Sequence, residues 1–300
     1  MIVRVNSAGL LTTVQDGGRW GYQSRGVPVA GPMDRVSLRL ANGILGNTPN
    51  AAALEVTLAG PRLEFTDHRM VAVTGAEFES VPAGVAFEAS PARPLIFGRR
   101  IRGARAYLAI AGGIDVPPVL GSRSTHLPSA MGGFKGRALR AGDELPLGPP
   151  QGGHYRRPLV SGFSRTEPTL RVLPGPQADR FVKEALDVLQ SAPYRVDVNS
   201  NRVGYRLSGP RLQHVTGADI LSDATPMGSI QVPASGEPIL LMADCQTTGG
   251  YAKIATVISA DIPAAGQLAP GDEIRFVVCS LAEALDALHM QQRTLRALER

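Results

Sequence analysis

A mostly β protein of two similar lobes with a few peripheral helices is the architecture this 300-residue sequence points to. Three observations carry that reading. Glycine (34) and proline (24) are abundant, and such dense backbone punctuation fits many short strands joined by tight turns better than a helical bundle. Short apolar runs bounded by Gly or Pro recur along the chain. An internal repeat also keeps its order. Leu58-Ala59-Gly60-Pro61-Arg62-Leu63 returns as Leu207-Ser208-Gly209-Pro210-Arg211-Leu212, Val73-Thr74-Gly75-Ala76-Glu77 as Val215-Thr216-Gly217-Ala218-Asp219, and Gly142-Asp143-Glu144-Leu145 as Gly271-Asp272-Glu273-Ile274. The spacing shrinks along the chain, as two related domains would show after deletions in the second. The expected domains are 1–150 and 166–300, with a Pro/Gly-rich linker at about 146–168.

The elements follow in order. A helix is expected over Asp34 to Leu45, with Val36, Leu40, Ala41 and Ile44 on one face and Gly46 as its stop. Arg105 to Ala111 reads as a short apolar strand. Ala178 to Leu189 places Phe181, Val182, Ala185, Leu186 and Leu189 on one helical face. Tyr194 to Asn199 alternates apolar and polar residues, as a half-buried strand does. Pro238 to Ala243, Ile254 to Ile258 and Glu273 to Cys279 are further short strands. Ser280 with Glu283 forms a capping-box signature ahead of a C-terminal helix whose apolar residues are Leu281, Leu285 and Leu288.

With 43% apolar and 19% charged residues the chain is able to bury a sizeable core. The formal net charge of +5 comes from scattered cations, and only 5% of residues are aromatic, so a nucleic-acid groove lacks its stacking platform. A mildly basic surface suits anionic small molecules instead. The N-terminus has no apolar leader core and no run reaches the ~18 apolar residues of a membrane span. No membrane partner and a cytoplasmic location are expected. Cys245 and Cys279 make neither a disulfide framework nor a four-ligand metal site, and both read as small buried hydrophobes. The five histidines show no ligand spacing, so no metal is expected. No phosphate loop, H-E-x-x-H, C-x-x-C or G-x-S-x-G element occurs.

Five polar, glycine-rich segments hold the candidate functional residues. Around Asp16-Gly17-Gly18 a tight turn gathers Gln15, Asp16 and Arg19, and Asp16 suits either chemistry or the bonding of its own turn. In Gly31-Pro32-Met33-Asp34-Arg35, Asp34 is placed as a helix N-cap or as a substrate ligand. Gly121 to His126 sets Ser124 beside Arg123, a pairing that fits an anion or a plain polar turn. Asn199 to Tyr205 contributes Asn201, Arg202 and Tyr205. The densest segment, Ala243 to Lys253, carries Asp244, Gln246, Thr247, Thr248 and Lys253 between two apolar strands, where rigid elements hold a binding loop. There Lys253 is expected near Asp244, ready to steady an anionic intermediate, or else to keep a strand edge soluble.

At these segments the chain resembles a known family over nearly its whole length. TTVQDGGRWGYQ, GVPVAGPMDRVSLRLANGILGN, AALEVTLAGP, LAIAGGIDVPPVLGSRST, SNRVGYRLSGP, GSIQVPASGEPILL and DCQTTGGYAKIATVISAD are similar to the second subunit of the allophanate hydrolase pair. That family also holds the C subunit of bacterial 5-oxoprolinase, the antagonist of the Kip histidine-kinase inhibitor and the carboxyltransferase portion of urea carboxylase. The resemblance implies two tandem cyclophilin-like β-barrel domains and, as partner, a Kip-inhibitor-like first subunit of the kind that serves as the B subunit of 5-oxoprolinase.

For activity, the resemblance implies a subunit of an ATP-dependent 5-oxoprolinase-type amide hydrolase that opens 5-oxoproline to glutamate with a third oxoprolinase subunit. ATP would then act at the level of the complex. A biotin-dependent carboxyltransferase acting on urea or a similar small amide is the first alternative, and there biotin would carry the transferred group. Ala252 stands where the urea-carboxylase form GGYPKI has proline, and the bare chain favours the oxoprolinase arrangement. A non-catalytic regulator that binds a kinase inhibitor is the second alternative. Either enzyme must hold an amide with its oxygen polarised, which calls for cations and for orienting carboxylates or amides. Asp16, Asp244 and Lys253 are the expected catalytic residues. Gln15, Arg19, Asp34, Arg123, Ser124, Asn201, Arg202, Tyr205, Gln246, Thr247 and Thr248 are the expected substrate ligands. The apolar loops GVPVAGPM and QVPASG are expected at the partner interface.

Overall fold

The structure, a computed structural model, describes residues 1–150 and 169–299. Residues 151–168 of the expected linker, with His154, Arg156 and Arg157, lie outside the described residues. Contacts divide the chain into two units, and neither is a continuous stretch. The first comprises Met1–Trp20, Ala30–Gly162 and Thr294–Arg300; the second comprises Gly21–Val29 and Phe163–Arg293.

The first unit contains β1 (Ile2–Ser7), β2 (Leu11–Gln15), α1 (Arg35–Ile44), β3 (Ala53–Thr57), β4 (Arg62–Phe65), β5 (Arg69–Phe78), β6 (Ala86–Ala89), β7 (Leu95–Ile96), β8 (Arg100–Ile110) and β9 (Glu144–Pro146). They form a four-stranded sheet in the order β7-β4-β1-β9 and a five-stranded sheet in the order β2-β3-β8-β5-β6. One core lies between the sheets: Val3, Val5, Leu63, Phe65 and Leu145 from one meet Val14, Leu54, Val56, Val71, Val73, Leu108 and Ile110 from the other. The five-stranded sheet is covered on its second face as well. There Leu38, Ala41, Ile44 and Leu45 of the α1 segment pack on Ala53, Ala72, Tyr107 and Ala109. Period-2 alternation explains the division, since large aliphatics point to the sheet–sheet core and mostly small residues accept the helix. Asp34 caps α1 through its side chain, which accepts a hydrogen bond from Ser37 N.

The second unit contains β10 (Thr169–Pro174), a 3₁₀ turn (Ala178–Arg180), α2 (Ala185–Ser191), β11 (Tyr194–Val196), β12 (Gly204–Ser208), β13 (Asp219–Ala224), β14 (Ser229–Gln231), β15 (Ile239–Leu241), β16 (Thr248–Tyr251), β17 (Lys253–Val257), α3 (Ile262–Gly266), β18 (Glu273–Val278) and the greater part of α4 (Leu281–Glu299). Seven strands close a barrel in the order β10-β17-β14-β15-β12-β11-β18, and β13 pairs with β16 as a separate two-stranded ribbon. β10, β11, β12 and β18 alternate buried and more exposed residues, as strands with one face inward must. β14 is buried at all three positions and β17 at four of five, so their outer faces are covered too.

The sequence repeat has a hydrogen-bonding counterpart in each unit. In the first, Val5 N donates to Asp143 O (2.9 Å), Gly142 N to Val5 O (2.8 Å) and Arg140 N to the Asp143 carboxylate (2.8 Å). In the second, Val196 N donates to Asp272 O (2.9 Å), Gly271 N to Val196 O (2.8 Å) and Ala269 N to the Asp272 carboxylate (2.8 Å). Gly142 and Gly271 both hold left-handed φ, 88° and 93°, so glycine is required at each.

Three expected elements differ. The helix over 178–189 is broken: Phe181 is extended (φ −105°, ψ 157°) and its ring packs on His214 at 4.5 Å, so helical spacing is overridden by a strand-like contact. The strand from Tyr194 ends at Val196 because the Asp197 carboxylate accepts a hydrogen bond from Asn199 N (2.8 Å) and turns the chain. The capping box of α4 forms, with Glu283 N donating to Ser280 Oγ (3.2 Å) and Ser280 N to Glu283 Oε2 (2.7 Å). Its apolar residues are not a buried face, however: Leu281 is 63% and Leu285 45% exposed. Cys245 is buried as expected, whereas Cys279 is half-buried. Among the described residues no helix is long and apolar enough to cross a membrane.

Candidate functional site

Two polar clusters gather the candidate residues, one in each unit. In the first unit the Asp16 carboxylate is saturated. Its Oδ1 accepts from Ser122 Oγ (2.6 Å), Ser124 Oγ (2.6 Å) and Gly18 N (3.0 Å), and its Oδ2 accepts from Arg123 N (2.5 Å). This is the turn-bonding role, extended to clamp the loop at 122–124. Gln15 and Arg19 hold the next carbonyls of that loop: Gln15 Nε2 donates to Thr125 O (3.1 Å) and Arg19 Nη2 to Ser124 O (3.0 Å). Both side chains are fully buried, and Gln15 Oε1 and Arg19 Nη1 have no partner among the described residues. Burial pulls the Arg19 pKa below its usual value, an effect the Asp16 carboxylate partly offsets. The Arg123 guanidinium turns instead to Val116 O (2.7 Å) and Asp115 (2.8 Å), so its side chain is a surface clamp.

Asp34 belongs to a neighbouring network that the sequence did not reveal. Its carboxylate accepts from Ser37 N (2.9 Å) and Ser37 Oγ (2.5 Å), while Asp34 N donates to Tyr107 Oη (2.7 Å). Tyr107 Oη in turn donates to Glu55 Oε2 (2.6 Å), which also accepts from Met33 N (2.9 Å). Burial, reinforced by Glu55 and Asp34, raises the Tyr107 pKa well above its usual value and keeps the phenol neutral. Glu55 and Tyr107 face each other on β3 and β8, a pairing visible only once the register is known.

In the second unit Arg202 and Asp244 form a bidentate ion pair, Nε to Oδ2 at 3.0 Å and Nη2 to Oδ1 at 2.9 Å, with both side chains at 3% exposure or less. Asp244 N also donates to Arg202 O (2.8 Å), so the pair joins two loops. Lys253 does not meet Asp244, contrary to expectation. Its Nζ donates to Asp223 Oδ2 (2.8 Å) on β13, since β17 directs the side chain toward the ribbon. Gln177 spans this second pair, its Nε2 donating to Asp223 Oδ2 (3.0 Å) and its Oε1 accepting from Lys253 N (3.3 Å). These hydrogen bonds, from Lys253 first and Gln177 next, hold the Asp223 carboxyl down at about 2. The Lys253 side chain is 2% exposed and that of Asp223 48%, so a buried cation is anchored by a carboxylate reachable from solvent.

The other candidates scatter around these pairs. Gln246 is exposed and its carbonyl accepts from Thr225 Oγ1 (2.6 Å); Thr247 O accepts from Thr225 N (3.0 Å). Thr248 lies on β16 opposite Ala224. Asn201 Oδ1 accepts from Val203 N (2.8 Å) and shapes its own turn. Tyr205 is a buried β12 residue at 2% exposure. Asp223, Gln177 and Gln231 were missed. Only Gln231 carried a signal, being a polar residue inside the apolar run Ile230 to Val232. Cys245 adjoins Asp244, but burial pushes its thiol up to about 12, so it is no thiolate nucleophile near neutral pH. Among the described residues no group of three or more His, Cys, Asp or Glu could hold a metal ion.

A buried ammonium fixed by a carboxylate, beside amide donors, suits stabilisation of an oxygen on which negative charge develops. Comparison with known proteins gives the family. The model of the carboxyltransferase domain, subdomain A and B, matches residues 25–278. The 5-oxoprolinase C subunit of Escherichia coli (strain K12) is 41% identical over 99% of this chain and 97% of its own length. The urea amidolyase of Lachancea kluyveri is 35% identical over 98% of this chain, but the match spans only 18% of that longer protein. The crystal structure of the K. lactis urea amidolyase superposes with a TM-score of 0.93 and 33% identity, covering 100% of this chain and 20% of that one. With the family model matched over most of its length and a relative aligned nearly end to end, the chain belongs to the carboxyltransferase domain family, subdomain A and B.

Proposed function

We propose that this chain is the C subunit of an ATP-dependent 5-oxoprolinase-type complex that hydrolyses the lactam C–N bond of 5-oxoproline to give glutamate. The observation that carries this reading is the 41% identity to the C subunit of the Escherichia coli 5-oxoprolinase, aligned over 99% of this chain and 97% of that one. The chain is inactive alone in this account and works with a Kip-inhibitor-like first subunit of the B type and a third oxoprolinase subunit. ATP is a reactant of the complex in this account, and the reaction takes place in the cytoplasm. Lys253 is the group that stabilises charge on the substrate. Asp244, its oxygens engaged by Arg202, braces loops of the same unit, and Asp16, engaged by Ser122 and Ser124, braces the 122–124 loop of the first unit.

A second reading has one observation in its favour, the TM-score of 0.93 to a urea amidolyase. Under it the chain accepts a carboxyl group from carboxybiotin and passes it to urea or a similar small amide. Purified chain mixed with both partner subunits tests the first reading. ATP-dependent glutamate release that disappears when this chain is omitted is the expected result; no turnover with all three present overturns it.

A further inference from the structure

The polar layer on the outer face of the barrel is built for a particular ligand atom. On β14, Ser229 and Gln231 share the face opposite Ile230, and Ile230 is fully buried. Ser229 Oγ and Gln231 Nε2 are buried and have no hydrogen-bond partner among the described residues. Leaving a buried donor unmade costs about 1–3 kcal/mol, so such atoms call for a partner. Gln231 sits directly opposite Lys253 in the β14–β17 register, and side chains so paired lie roughly 5 Å apart at Cβ. The Lys253 ammonium carries three N–H bonds, and one of them is directed to Asp223 Oδ2.

Gly249 completes the arrangement. A Cβ placed there would lie 2.6 Å from Gln231 Nε2 and 3.2 Å from Gln246 Nε2. The glycine thus lets two amide nitrogens converge where any side chain would intrude. The cluster is donor-rich without being cationic, because Asp223 already neutralises Lys253. A carboxylate arriving beside Asp223 would meet a like charge, whereas a neutral carbonyl oxygen reaches the Gln231 and Lys253 donors without that full repulsion.

We propose that Gln231 Nε2 and Lys253 Nζ together bind the neutral amide carbonyl oxygen of the substrate, with Asp223 as the positioning residue that holds the ammonium in place. The inference rests on the amide-substrate reading above and assigns that substrate's oxygen to named donors. Lactams and ureas both present such an oxygen, so it serves either reaction.

The test separates the cradle from the reaction. Full-length chain with ¹⁵N-labelled glutamine side chains is titrated with 2-pyrrolidinone, a neutral lactam, and separately with acetate. The Gln231 side-chain amide resonance should move with 2-pyrrolidinone and stay fixed with acetate at equal concentration. Gln231→Leu should weaken lactam binding about tenfold, and Gly249→Ala should do the same in a folded protein. A resonance that ignores 2-pyrrolidinone, or follows acetate equally well, overturns the proposal. In the reconstituted complex, Asp223→Asn should lower kcat more than it changes KM, and Asp223→Glu should recover part of the loss. Equal losses for Asn and Glu would mark Asp223 as merely structural. Lactam binding in a complex without turnover would keep the cradle and reject the oxoprolinase reading.

Discussion

Asp16 shows how far single residues are legible. The Asp-Gly-Gly turn left Asp16 open to chemistry or to bonding its own loop; in the structure its carboxylate bonds the loop, with Ser122 and Ser124 as further donors. Lys253 was legible as an unusual cation, but its partners were not. Asp223 and Gln177 lie 30 and 76 residues away in the chain; the ribbon brings Asp223 to the ammonium, while Gln177 accepts from the Lys253 backbone N–H. The same blindness gave Asp244 the wrong companion, since Arg202 reaches it across 42 residues. Cys245 yields a direct prediction. Its thiol titrates at about 12, so it stays neutral and shielded near neutral pH. Iodoacetamide at mildly alkaline pH should leave Cys245 unmodified in the native protein and label it after denaturation. Labelling of native Cys245 at the rate of a free thiol would contradict the burial argument.

Elements were legible where local signals agree with the tertiary contacts. The α1 cap and the Ser280–Glu283 box formed as written, because capping is decided within one turn of the chain. The helix expected from Ala178 failed at Phe181, where stacking on His214 outweighs helical periodicity. The repeated Gly-Asp turn before β9 and β18 is the most informative local element, since its two copies make the same backbone and side-chain hydrogen bonds. In the first copy Asp143 also accepts two hydrogen bonds from Arg137, each at 2.7 Å, and this pairing is the main reason its carboxyl titrates below the usual range. A carboxyl depressed on folding contributes stability above its unfolded pKa of about 3.9, and that contribution is lost as pH falls through the folded value. Asp143→Asn should therefore lower unfolding stability by about 2 kcal/mol at neutral pH, with the deficit shrinking once the pH drops below that unfolded value. Urea melts at neutral and at acid pH measure this, and an equal deficit at both would show that the charge is not involved.

For the protein as an assembly, burial bears on which segments are open to contact. Met33 and Val232, from the two loops assigned to an interface, are fully buried, so those segments contribute to packing more than the sequence implied. Leu281, Leu285 and Met290 on α4 and Leu221 on the ribbon are instead exposed, Leu221 to 94%, and exposed apolar residues of this kind are candidate contacts. Co-expression with a B-type first subunit should give a complex of at least one copy of each chain by size exclusion with light scattering, burying more than about 1,000 Å². Separate elution of the two chains at micromolar concentration would remove the partner assignment. The reaction itself is tested most directly by supplying the three-subunit mixture with ATP and 5-oxoproline, with and without avidin, and following glutamate and phosphate together. The account predicts glutamate release coupled to phosphate release and unaffected by avidin. Absent glutamate, or release abolished by avidin, would contradict it and favour carboxyl transfer from biotin.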